Sequence, residues 1–291
     1  MFLRFDGVGD SLLTNTIAFH YARENSRRVF VATTYPELYR GTPGVTTLPT
    51  KSPGIAIQMA KFLHRIGVVD SLVYLSYQPS GPDAKMRPLP GHILSVLAAK
   101  VGLQKAPTYP VLFLSQQELE LGALPQTGKP WIAMQSTGIT AMTSNKNWFP
   151  ERFEALARQV RKRFRIVQLG LRGDPPLESD LDLRNRTTPR QAAVTLASCR
   201  AVICQEGYLM HAATAVGTPA VVIFGGFISP MESGYAVNEN LFTELSCSPC
   251  WLRTDCPYDK ECMRRISTED VLTALEKLLA SRKSEPTGST P

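Results

Sequence analysis

A chain of 291 residues with 43% hydrophobic side chains can fill two cores of ordinary size, so a globular protein of two domains is expected. No run approaches the ~18 consecutive apolar residues of a membrane span, and Met1-Phe2-Leu3-Arg4 leads into Asp6 with no apolar leader, which argues against membrane insertion and secretion. The 32 Lys and Arg outnumber 25 Asp and Glu, and the formal charge of +7 suits anionic partners: nucleotide phosphates, an anionic membrane surface or nucleic acid.

In chain order, residues 2–5 read as a short strand, and Asp6-Gly7-Val8-Gly9 as a tight loop that delivers Asp10 to a helix over 11–23. A strand over 29–32, helices over 55–66 and 93–101 and an intervening strand over 71–75 continue the alternation. The stretch 78–90, rich in Pro, Gly and Ser, reads as an exposed loop facing a cleft. Polar and turn residues over 118–130 mark a linker, dividing a first domain, 1–122, from a second, 130–281. The second opens with a strand over 131–135, an amphipathic helix over 150–164, a strand over 166–169 and a helix over 190–199. A final helix over 268–281 precedes a tail, 282–291, of disordered composition.

The most informative stretch is 201–226. A short apolar run, the turn Gln205-Glu206-Gly207, a helix from Tyr208 stopped by Gly217-Thr218-Pro219, and a β-branched run closed by Gly225-Gly226 make a βαβ unit. Ligands of open parallel sheets sit beyond the carboxyl ends of the strands, which is where Glu206, Gly207 and His211 fall. The free N–H groups of that helix start suit a phosphate.

Other residues carry chemistry with plainer alternatives beside it. Asp10 before a helix is a favoured N-cap. A lone Lys146 in a polar loop is ordinarily solvated. Gly7-Val8-Gly9 begins a dinucleotide fingerprint but has Leu12 where the third Gly is needed, which disfavours a nicotinamide enzyme. The basic run 158–165 reads as a solvated helical face, or as a contact with anionic lipid or nucleic acid. Cys247, Cys250, Cys256 and Cys262 begin with C-x-x-C, and four clustered thiols in a chain read as intracellular suggest reduced cysteines or a structural metal rather than disulfides.

The pattern Glu206-Gly207-x-x-Met210-His211-x-Ala213-x-x-x-Gly217-Thr218-Pro219, followed by a strand and Phe224-Gly225, resembles the donor-binding motif of the lipopolysaccharide heptosyltransferases, glycosyltransferase family nine. Arg4, Gly9, Asp10 and Thr14 resemble the family's opening motif, and Lys146-x-Trp148 its segment before a second-domain helix. Where the family has Asp-Ser-Gly this chain has Glu206-Gly207-Tyr208, a longer acid and a bulkier neighbour that bear on which sugar nucleotide fits. The resemblance implies an α/β fold of GT-B type, two doubly wound domains facing across a cleft with the final helix crossing back to the first. It implies an inverting glycosyltransferase without catalytic cofactor, moving a sugar from a nucleotide donor, ADP-heptose by analogy, to a hydroxyl of a glycan, glycolipid or protein. Asp10 would be the general base, and Lys146 and His211 would hold the donor. Glu206 would bond a ribose or sugar hydroxyl, and Ser136, Thr137 and Gly138 would give a second phosphate contact. The implied location is cytoplasmic, with a peripheral contact at the inner membrane suiting a lipid-linked acceptor. Similar Cys-x-Pro-Cys segments in the family, some of them iron-binding, add zinc or iron to the readings of the four cysteines, in a structural role.

Two further readings compete. A nucleic-acid-binding protein with a Cys-metal knuckle would use the charge, but it leaves the βαβ unit unexplained and lacks stacking aromatics among the basic residues. A sugar-nucleotide epimerase or hydrolase on the same fold would act on the donor without an acceptor.

Overall fold

The computed structural model describes residues 1–5, 7–78, 85–137 and 143–281. Two parallel sheets organise it. The first takes β1 (Phe2–Arg4), β2 (Val29–Thr33), β3 (Val45–Pro49) and β4 (Val73–Tyr74) in the order β3-β2-β1-β4. The second takes β5 (Trp131–Met134), β6 (Arg165–Gln168), β7 (Leu181–Asp182), β8 (Ala201–Gln205), β9 (Ala220–Ile223) and β10 (Glu239–Leu241) in the order β10-β9-β8-β5-β6-β7. Both are doubly wound: the strand order reverses beside the first strand of each sheet, between β1 and β4 and between β5 and β8, which opens a crevice at the carboxyl ends. The central strands β5, β8 and β9 are buried at every residue, as parallel strands covered on both faces must be.

The helices are α1 (Val8–Asn25), α2 (Pro53–Arg65), α3 (Ile93–Val101), α4 (Gln116–Leu121), α5 (Pro150–Val160), α6 (Pro189–Ala197), α7 (Tyr208–Ala215), α8 (Pro230–Ser233), α9 (Glu261–Arg264) and α10 (Thr268–Ser281). Side chains alternate along β1, so Phe2 packs with Leu12, Leu13 and Ile17 of α1, while Met1, Leu3 and Phe5 pack with Ala56 and Ala60 of α2 on the other face. The two helices therefore cover opposite faces of the first sheet.

Four expectations change. Helix α1 starts at Val8 rather than Ser11, so Asp10 is its third residue and makes no N-cap bond; Gly7 precedes it at φ 70°, where a Cβ would strike the Asp10 carboxylate. Residues 116–121 of the expected linker are helical because Ser115 and Glu118 form a capping box. Part of the 78–90 loop is docked rather than free: buried Gln78 bonds both backbone groups of Arg87, and Leu89 N–H donates to Glu232 at 2.6 Å. Residues 79–84 lie outside the described residues, as does the tail 282–291. Finally, α10 spends its apolar stripe, Val271, Ala274, Leu275 and Leu278, on the second domain, against α5, β9 and β10, rather than crossing back to the first.

The domains touch through α1 and α7. Gly9 lets α1 approach, since a Cβ there would lie 3.3 Å from His211 Cδ2 and 3.6 Å from the Tyr208 backbone. Buried Arg190 at the start of α6 clamps the seam: its guanidinium makes a paired contact with Glu118 at 2.6 and 2.8 Å and donates to the carbonyls of Phe113, Glu37 and Arg40.

Candidate active site

The two crevices face each other where α1 meets α7. On the first-domain wall, Arg4 ends β1 and pairs with Asp10, while its other nitrogen donates to the Leu75 carbonyl at 2.9 Å. Tyr77, just past β4, adds a hydroxyl bond to the same carboxylate. Burial pushes the Asp10 carboxyl up, and the pull of Arg4, Tyr77 and Lys146 in the other direction does not offset it, so the net shift is upward. A carboxylate poised above its usual range, held by a fixed cation, is suited to take a proton.

On the second-domain wall, Lys146 pairs with Glu206 and lies 5.5 Å from the centre of the Phe227 ring. Its place is set by its neighbours. Asn145 is buried and donates to the carbonyls of Leu252 and Thr254, each at 2.9 Å, Gln205 donates to the Lys146 carbonyl, and Trp148 sits in the core with its indole N–H on the Ile266 carbonyl. The Lys-x-Trp spacing thus anchors a short turn at both ends and leaves the ammonium at the crevice. Glu206 follows β8, and Ser233 Oγ donates to its second oxygen at 2.9 Å. Burial pushes its carboxyl up, but the Lys146 ammonium and the hydrogen bonds from Lys146 and Ser233 outweigh that and hold it below the usual range, so it stays ionised.

His211, in the first turn of α7, is buried, and its Nδ1 lies 2.6 Å from the Tyr235 hydroxyl. Burial lowers its pKa to about 4, against the raising effect of Glu206, so the ring is neutral at physiological pH. The Tyr77 hydroxyl responds to both Asp10 and Glu206, and Asp10 to Lys146, so the two walls form one electrostatic unit.

Thr137 Oγ1 and Gln205 Oε1 at the ends of β5 and β8, and Asn145 Oδ1 and Asn147 Oδ1 in the Lys146 turn, are buried without a hydrogen-bond partner among the described residues. Buried polar atoms without a partner near strand ends suit a polar ligand. Ser136 differs from its neighbour: its hydroxyl donates to the Pro175 carbonyl at 2.6 Å and accepts from Gln168, fully buried. Gly138 lies outside the described residues. Gly207 is the N-cap of α7. The bulk of Tyr208 is taken up between helices, its hydroxyl donating to the Pro189 carbonyl at 2.6 Å.

In the basic run, Arg158 meets Glu154, Arg161 meets Glu178 and Asp180, and Arg163 meets Glu276, while Arg165 stacks on Trp131 at 4.2 Å; Arg158 and Arg163 remain exposed, as on a solvated helical face. Burial raises the thiols of Cys250 and Cys262, and the nearby cysteines, Cys247 and Cys256 among them, add to it, yet no three His, Cys, Asp or Glu among the described residues are gathered to hold a metal. The mutual effect of Cys247, Cys250, Cys256 and Cys262 places the four thiols near one another.

Sequence reasoning passed over Tyr77, Ser233 and Tyr235. Tyr77 had a signal, since it lies three residues past a strand at the point where the sheet order reverses; the other two are brought in only by tertiary packing.

The sequence family described as glycosyltransferase family 9 (heptosyltransferase) matches residues 55–260. The chain belongs to that family. It is therefore a glycosyltransferase of the heptosyltransferase family. Among solved structures, it is similar to a family 9 glycosyltransferase from Veillonella parvula, 14% identical with 96% of each chain covered and a TM-score of 0.72. It is also similar to Escherichia coli ADP-heptose lipopolysaccharide heptosyltransferase II, 17% identical over 97% of this chain and 99% of that one, TM-score 0.68. A third likeness is to the iron-containing dodecameric glycosyltransferase TibC of enterotoxigenic E. coli, 16% identical over 97% of this chain and 76% of that one, TM-score 0.72. These likenesses show the GT-B arrangement of family 9 in this fold. Comparison with curated protein sequences finds no match. No helix among the described residues is long and apolar enough to cross a membrane.

Proposed function

We propose that this family 9 enzyme moves a heptose from ADP-heptose to an acceptor hydroxyl with inversion, Asp10 acting as general base. The observation that carries the reading is the pair of opposed carboxylates: Asp10 shifted up and tied to Arg4, Glu206 shifted down and tied to Lys146. Environments that separate two acids in this way assign them different work. The donor follows two neighbours, TibC solved with ADP-D-beta-D-heptose and E. coli WaaC solved with ADP-2-deoxy-2-fluoro heptose.

Asp10 takes the proton of the acceptor hydroxyl as its oxygen attacks the anomeric carbon, and the bond from that carbon to the diphosphate breaks on the opposite side. The nucleoside diphosphate leaves with the electron pair. Lys146, held at the crevice by Glu206, offsets the charge that builds on it. The amide groups at the start of α7 and the Thr137 hydroxyl receive phosphate oxygens, Glu206 a hydroxyl of the ribose or sugar, and neutral His211 holds the α7 start in place through Tyr235. Written this way the transfer uses no metal and no cofactor. A depression of about 600 Å³ lined by Tyr77, Arg87, Leu89 and Lys100 opens beside Asp10, on the side where a glycan, glycolipid or protein hydroxyl would enter.

Thermal melting with a panel of nucleotides and nucleotide sugars tests the donor, because a ligand that binds only the folded chain raises the melting temperature. ADP and ADP-heptose should stabilise; no shift with either would remove the donor assignment. Incubation with ADP-heptose alone, followed by product analysis, separates transfer from hydrolysis or epimerisation. The C-x-x-C spacing supports a structural zinc or iron as a separate reading, and about one such ion per chain in protein purified without chelator would establish it.

A further inference from the structure

We propose that α2 is a docking surface for an anionic lipid bilayer. The helix is seated with its small side chains inward: Ala56 and Ala60 are buried against the first sheet, together with half-buried Ile57 and Leu63. Its large apolar side chains point out. Ile55 is 65% exposed, Met59 51%, Phe62 59% and, at the C-cap, Ile66 53%, with Val68 at 59% just beyond. At 3.6 residues per turn the first four fall within about 60° of one another, so they form one stripe along the helix. Singly exposed apolar residues are ordinary, whereas a continuous stripe marks a surface that something covers.

The rim says what covers it. From residue 51 to residue 69 there is no Asp or Glu, while Lys51, Lys61 and Arg65 are all exposed. The first acid beyond, Asp70, is paired with Arg27 at 3.1 Å. An apolar stripe with a purely basic border matches the boundary between anionic headgroups and acyl chains. A second copy matches it less well, because a two-fold pairing would lay Lys61 and Arg65 against their own equivalents. The sheet face that carries α2 is opposite to the one carrying α1, and α1 is the helix that meets α7 at the crevice. A bilayer against α2 therefore leaves the active site clear. The basic run over 158–165, with its partners already in place, is not this surface.

The test is cosedimentation of the full chain with phosphatidylcholine vesicles, with and without phosphatidylglycerol, at low and high salt. Binding is expected to the anionic vesicles, weaker at high salt and weaker still without phosphatidylglycerol. Met59→Ser with Phe62→Ser should reduce it at least about tenfold while the melting temperature holds. Should that variant fail to fold, Lys61→Glu with Arg65→Glu, both exposed, should abolish the salt-sensitive part. No binding to anionic vesicles, or equal binding by both variants, overturns the proposal. So does sedimentation equilibrium showing a dimer lost in the apolar variant with no vesicle binding, which would give the face to a second copy. Vesicle binding is read without any sugar transfer, so its failure and that of the proposed donor are separate results.

Discussion

The two walls of the crevice are built from the same parts and tuned in opposite directions. Each places a carboxylate near a strand end, ties it to one cation and adds a hydroxyl: Asp10 with Arg4 and Tyr77, Glu206 with Lys146 and Ser233. Burial raises both acids, but only on the second wall do the surroundings outweigh it. There the Lys146 ammonium and the Ser233 hydroxyl keep the negative form; on the first, the pull of Arg4, Tyr77 and Lys146 falls short of the cost of burial and the acid is left more basic. The difference lies in what surrounds each pair rather than in the pair itself, and substitutions can erase it one part at a time.

The largest effect is expected from Asp10→Asn, which removes the raised acid and keeps its shape. Transfer should fall at least about a hundredfold with donor affinity unchanged. A single-turnover rate near that of the parent would reduce Asp10 to a brace for Arg4. Next in size is the acid sensitivity of His211. Folded, it titrates near pH 4; unfolded, near 6.5. As pH falls through that window the unfolded chain takes the proton and the folded chain does not, so stability drops, by on the order of 3 kcal/mol in all, and levels off for this group below about pH 4. Urea midpoints across the window should show the slope, and His211→Gln should flatten it; an unchanged slope would place the acid-labile group elsewhere.

Lys146→Ala should cost about 2 kcal/mol of stability by leaving the buried Glu206 charge unpaired, discounted for the partial exposure of the ammonium, and about tenfold in donor affinity. Adding Glu206→Gln should recover stability but not affinity, and recovery of both would mean that the lysine serves only its acid. The smallest effect should come from Gly9→Ala, whose methyl meets His211 at 3.3 Å: a severalfold loss of turnover with under ~1 kcal/mol of stability, measured by kinetics and melting together.

Local signals made much of this legible. The period of the apolar residues marked β1, α1, β5, α6, β8, α7 and β9, because covered parallel strands read as unbroken apolar runs and punctuated helices have Gly or Pro at their ends. The edge strands β3, β7 and β10 were not legible, because burial there is partial and the pattern fades. Asp10, Lys146, Glu206 and His211 stood out by residue type and spacing. What the sequence could not contain was their company. Tyr77 reaches Asp10 from 67 positions away by number, and Tyr235 reaches His211 at |i−j| of 24, because β4 lies beside β1 and the segment after β9 folds over α7. Spacing fixes which side chains share a turn or a strand end; only the reversal of strand order and the seating of α1 on α7 decide which strand ends meet, and with them which carboxylate becomes basic and which stays ionised.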